Sequence, residues 1–153
     1  MVDLVDTITA LATIANANKG VTGIAQALPN LPATMDVDKT VCYFIGQQRY
    51  QPFNDSEDVK LESTTVFVRL YEAAITTGIP GEVEERIKGR IPLIRDELLA
   101  HIRLGKLDGI KRTVLTGSTG VKAFPYAGIG NYAGCEWSLT VERIVQVTYA
   151  QGE

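Results

Sequence analysis

From Cys135 to Tyr149 every second residue reads Cys135, Trp137, Leu139, Val141, Arg143, Val145, Val147, Tyr149, an apolar row broken once by an arginine. Alternation sustained this long dictates a β-strand with one face turned to a core. At about 3.3 Å per residue it spans roughly 50 Å, more than a small sheet usually needs. Such a strand requires partner strands, so it commits the rest of the chain to building a sheet. A bulge near Glu142 would hand the later face to Ile144, Gln146 and Thr148 and lose apolar surface. An unbroken register is therefore expected, with Arg143 on the face of Trp137 and Val145. A guanidinium there must find an ion pair, reach water past its aliphatic stem, or lie where the strand has outrun its core. Arg69, set between Phe67 and Tyr71, poses the same problem in a second aromatic strand. An ion pair within the subunit accounts for either arginine; the sharper alternative is that both mark where the sheet meets a neighbouring chain or a lumen.

The best helical signal lies in TTGIPGEVEERIKGRIPLIRDELLAHIRLG, residues 76–105. Val83, Ile87, Ile91, Ile94, Leu98 and Ile102 step by threes and fours and fall within an arc of about 100°. Pro92 sits roughly opposite that arc, so one kinked helix curved over a sheet is expected, with Gly105 as its stop. Residues 3–17 form a second amphipathic helix, its face made by Leu4, Val5, Ile8, Leu11, Ala12 and Ala15. Between them, residues 19–38 are rich in Gly, Pro and Asn and predict an irregular connector with at most a short helical turn. TVCYFIG (40–46) and TTVFVRLYEA (64–73) predict two antiparallel strands joined by a long polar loop with Asp55, Glu57 and Asp58 at its middle. GIKRTVLTG (109–117) is a further strand, followed by a Gly-rich loop and the final strand. The sum is one α+β domain over residues 1–153: about four mainly antiparallel strands, with the N-terminal helix and the long kinked helix on one face.

A chain of 153 residues with 45% hydrophobic residues can bury roughly 68 to 70% of its unfolded surface and needs no staples. Its formal charge of -3 comes from interspersed acids and bases, which argues against phosphate-backbone partners and sequence-specific nucleic-acid binding. Cys42 and Cys135 sit in apolar runs and read as free, buried thiols. Asp3 and Asp6 precede the first base, Lys19, the wrong polarity for a secretory signal, and no apolar run approaches a membrane span. These features predict a soluble protein that folds in a cytoplasm.

Chemistry is sparse. The single histidine, His101, has no nucleophile or orienting acid in view and reads as structural. One His and two separated Cys do not make a zinc site. GIGNYAG (128–134) offers glycines of the phosphate-cradling kind but leads into a strand, whereas a dinucleotide loop follows a strand and opens a helix. The acids Glu82, Glu84, Glu85, Asp96 and Glu97 mix with Arg86, Lys88, Arg90 and Arg95 at helical spacings, the pattern of a solvated helix face. Leu93 and Leu99 fall outside the apolar arc and are available to a neighbour, and the acidic loop could dock on a partner. No catalytic residue, cofactor or metal is expected; surfaces are.

The layout resembles the tail terminator (tail completion) proteins of long-tailed bacteriophages. The resemblance rests on the amphipathic N-terminal helix, the connector ending LPNLPAT, the strand pair with its long loop, the helix ending LLAHIRLG, and the loop passing into YAGCEWSLTVERIVQV. It implies a non-enzymatic virion subunit that forms a ring, often a hexamer, with copies of itself on the head-proximal end of the tail. Its further partners would be the tail tube protein, whose polymerisation it ends, and a head–tail connector or neck protein. Alternatives are a neck or connector subunit, or a small cytoplasmic binding module.

Overall fold

The computed structural model describes residues 4–53, 56–101, 110–126 and 130–146, with side chains of 56–58 outside the description. The final strand runs from Gly130 to Gln146 (β6), and the strand it pairs with is longer still, Ser56–Ile75 (β3). Their register is continuous from Val59 opposite Gln146 to Tyr71 opposite Gly134. No bulge intervenes at Glu142, so Arg143 shares the face of Trp137, Leu139 and Val141, as alternation required.

The remaining strands are Gln26–Leu28 (β1), Thr40–Phe53 (β2), Ile110–Ser118 (β4) and Lys122–Tyr126 (β5). The order across the sheet is β1-β2-β3-β6-β4, with β5 alongside the start of β6. β1 is parallel to β2; every other pairing is antiparallel. The fold is thus α+β, with a mixed sheet of six strands in place of about four antiparallel ones. The additional strands lie where an irregular connector and a Gly-rich loop were expected. β1 sits in the Pro-rich connector, three residues held by pairing with Thr40–Cys42. β5 sits in the Gly-rich loop and folds back on β6.

The largest difference is the expected long loop between the two central strands. Residues 47–53 and 56–63 continue β2 and β3 as a ribbon, so little loop is left between them. Every side chain from Gln47 to Pro52 is exposed, which removed the alternation that would have marked a strand. Residues 47–52 are held by backbone pairing with β3 and carry no buried face of their own.

Leu4–Ala17 (α1) and Gly81–His101 (α3) pack on one sheet face, with the four-residue Lys19–Thr22 (α2) between them in sequence. α3 buries Val83, Ile87, Ile94 and Leu98 and runs on through Pro92; Ile102 and Gly105 lie outside the described residues. α1 buries Leu4, Ile8, Leu11, Ala12 and Ala15, but Val5 is exposed and Thr7 takes the buried position expected of it. These side chains meet Val41, Tyr43, Val66, Val68, Leu70, Trp137 and Leu139 in the main core. The opposite sheet face carries a smaller cluster of Met35, Cys42, Tyr71, Phe124, Tyr126 and Tyr132, with no described helix over it.

Candidate interaction surfaces

Along the β3–β6 pair the core face changes from Val66 opposite Leu139, to Thr64 opposite Val141, to Glu62 opposite Arg143. Arg143 Nε donates to Glu62 Oε1 at 2.6 Å, and the two side chains are only 15% and 5% exposed. Opposite charges at directly paired positions are the sheet's own way of closing a polar step in a buried face. Tyr50 lies opposite Glu62 on β2. Partial loss of solvent and the nearby carboxylate together hold the Tyr50 phenol above its ordinary value.

Arg69 solves the same problem on the other face. Its Nε donates to Glu136 Oε2 at 2.6 Å, its Nη1 donates to the Tyr71 hydroxyl at 3.0 Å, and Glu136 is its cross-strand partner. The guanidinium carbon lies 4.6 Å from the Phe124 ring centre and 4.9 Å from that of Phe44, a cation–π arrangement on both sides. Burial pushes the neighbouring Cys42 thiol up to about 12, and Arg69 offsets part of that rise. The hydroxyl of Tyr126 donates to the Pro32 carbonyl, and that of Tyr132 to the Met35 carbonyl, so the connector is tied down over this aromatic cluster. Each arginine expected at a contact is therefore paired inside the chain.

The structure adds a third buried pair, made by Arg90, which the sequence reading placed on a solvated helix face. At a bulge between Tyr71 and Ala73 the extra residue is Glu72, whose side chain is 0% exposed. Arg90 grips both of its oxygens, Nε to Oε2 at 2.8 Å and Nη2 to Oε1 at 2.9 Å. The same guanidinium donates through Nη1 to the Thr22 carbonyl at 2.8 Å, so one side chain fastens α3 to β3 and to the end of α2. Gly23 fits here on two counts: its φ is +76°, and a Cβ would overlap Arg90. The usable sequence signal was a glutamate beside the apolar strand TTVFVRLY with arginines one helical turn apart at 86 and 90.

Two apolar grooves also lie on the surface. Leu93 and Leu99 are 41% and 49% exposed, as their place outside the arc of α3 required. Leu93 lines a groove of about 270 Å³ with Asn18, Val21, Glu97 and His101, while Leu99 stands apart from it. His101 Nε2 lies 3.4 Å from Asn18 Nδ2, and burial raises the Glu97 carboxyl, with His101 and Asn18 offsetting part of the rise. A second groove, of about 240 Å³, lies between α1 and the edge of β2 and is lined by Val5, Ile8, Pro29, Leu31, Phe44 and Ile45. Sequence reasoning missed it because Val5 was assigned to the core and Ile45 to the predicted strand TVCYFIG, with nothing to mark that strand's edge as open. Asp55 lies outside the described residues; Glu57 and Asp58 are at the start of β3, the ribbon's return strand, their side chains likewise outside the description.

Among the described residues no group of His, Cys, Asp and Glu is placed to hold a metal ion, and no helix is long and apolar enough to cross a membrane. No protein-family model matches the chain, and no curated protein matches it.

Proposed function

We propose that copies of this chain close into a ring that ends the tail tube of a long-tailed bacteriophage and offers the head its joining surface. The observation that carries the reading is the β2–β3 ribbon. Gln47 to Pro52 are exposed throughout, so the sheet extends past the part that its own helices cover. The β2 half of the ribbon buries little apolar surface of its own, which leaves its side chains free for contacts with something else. Among the described residues the buried charged pairs hold the fold together, while two apolar grooves, the polar ribbon and sheet edges are exposed, the equipment of an assembly subunit. Under this reading the chain has no catalytic role, and its partners are its own copies, the tube protein and a connector or neck protein.

Adding the purified chain to polymerising tube subunits tests the proposal. Tubes should stop at an end marked by the chain in negative-stain images, with mass photometry of the chain giving a closed oligomer. Tubes that elongate unaffected, with a strictly monomeric chain, would return the protein to the class of small binding modules.

A further inference from the structure

The sheet has two open edges, and they match. Among the described residues β1 pairs with β2 only at Thr40–Cys42, leaving β2 from Tyr43 onward without a partner on the side away from β3. At the far side β4 pairs with β6 and with no described strand beyond it. An unpaired edge presents a row of backbone N–H and C=O groups that another strand can satisfy.

Polarity, face and charge all fit one edge to the other. β2 and β4 are separated by two antiparallel strands, so they run in opposite directions; β4 of one copy laid beside β2 of the next continues the antiparallel alternation. Ile45 pairs with Val66 and Leu115 pairs with Leu139, so both edge residues belong to the helix-bearing face. A head-to-tail continuation therefore keeps the helices of successive copies on one side. The groove beside Tyr43–Ile45 has no charged residue in its lining, and Val114-Leu115-Thr116 is the uncharged centre of β4. Ile45 is 41% exposed and Val5 62%, apolar surface of the kind an incoming leucine covers. The bulge between Ile45 and Gln48, and Pro52 further on, spoil regular pairing along the rest of β2 and so confine it to the stretch beside the groove.

We infer that β4 of one copy adds antiparallel to the β2 edge of the next, with Leu115 entering the groove lined by Val5, Leu31 and Ile45. This rests on the ring reading and supplies its subunit contact: the two patches differ, so the association is heterologous and closes or propagates according to the rotation per copy.

Disulfide trapping tests it, because the native Cys42 and Cys135 are both buried at 0% exposure and leave a quiet background. The full-length chain carrying Ile45→Cys and Leu115→Cys together should give, on mild oxidation, a ladder of covalent multimers ending at the size seen by native mass spectrometry. A mixture of the two single variants should give dimers only, and each single variant alone none. Thr116→Cys, at an exposed position, replaces Leu115→Cys should the latter fail to fold, and a bond from it to position 45 supports the same edge one residue out of step. Oligomers that form normally without any bond from 45 to 115 or 116 overturn this contact and leave the ring reading standing. Ile45→Cys linking to itself overturns it in favour of a two-fold pairing. A chain that neither oligomerises nor caps tubes overturns both.

Discussion

At the scale of single residues, three arginines carry the argument, and their positions were legible to different degrees. Arg143 and Arg69 stood out because a charge interrupts an alternating row; their partners did not, because Glu62 and Glu136 are opposite them only through a register of more than sixty intervening residues. Arg90 looked like any helical surface charge, and only the bulge at Glu72 gives it a buried carboxylate. Removing one member of a buried pair strands the other. Arg143→Ala and Arg90→Ala should each cost about 3–5 kcal/mol in chemical denaturation, whereas replacing Arg143 and Glu62 together by Met and Leu should cost far less. Equal losses in the single and double variants would deny that the pair acts as a unit. Glu97 gives a pH test at the same scale. Its carboxyl lies above the ordinary 4.5 because of burial, so the protonated form favours folding. That contribution is whole below the unfolded value and is lost as pH rises through the folded one. Glu97→Gln should therefore raise the melting temperature at pH 7 and leave it unchanged at pH 4.

At the scale of elements, what the sequence made plain was whatever buries a face. α3 announced itself by a stripe at helical spacing, and β6 by alternation from Cys135 onward, because each packs one side against the core. The ribbon at 47–63 was hidden for the opposite reason: its β2 half is exposed on both sides, so no periodicity records it. β1 and β5, three and five residues long, are held by neighbouring strands and not by their own preferences. The candidate surface at the β2 edge was hidden too, since TVCYFIG looks the same whether its last residues are covered or open. The start of β6 shows how closely one element constrains another. Gly134 lies against the bulge at Glu72, where a Cβ would overlap the Leu70 carbonyl, a backbone atom that cannot swing aside. Gly134→Ala should destabilise by about 1–3 kcal/mol or more, against a few tenths for Gly117→Ala, whose Cβ would meet nothing. Matching losses at the two positions would contradict the close approach.

At the scale of the whole molecule, the question is whether the two sheet faces open as one body. Cys135 lies in the main core under the helices, and Cys42 in the aromatic cluster on the opposite face, both free and both at 0% exposure. Burial pushes the Cys42 thiol up to about 12 and raises Cys135 as well, so at pH 8 the thiolate that reacts is scarce at both. Labelling of either must therefore wait for the structure to open. The connector is tied over Cys42 by hydrogen bonds from Tyr126 and Tyr132, while Arg69 joins that cluster to Glu136 on β6 itself. Since β6 also carries Cys135 and Trp137 into the main core, the two faces share a central strand, and opening either side disturbs the other. Cys42→Ala and Cys135→Ala variants, each with one thiol left, should accordingly label at pH 8 with the same opening free energy, equal to that of global unfolding in denaturant. A markedly faster Cys42 would mean that the aromatic cover lifts by itself and that the domain is two units, with the connector as its loose part.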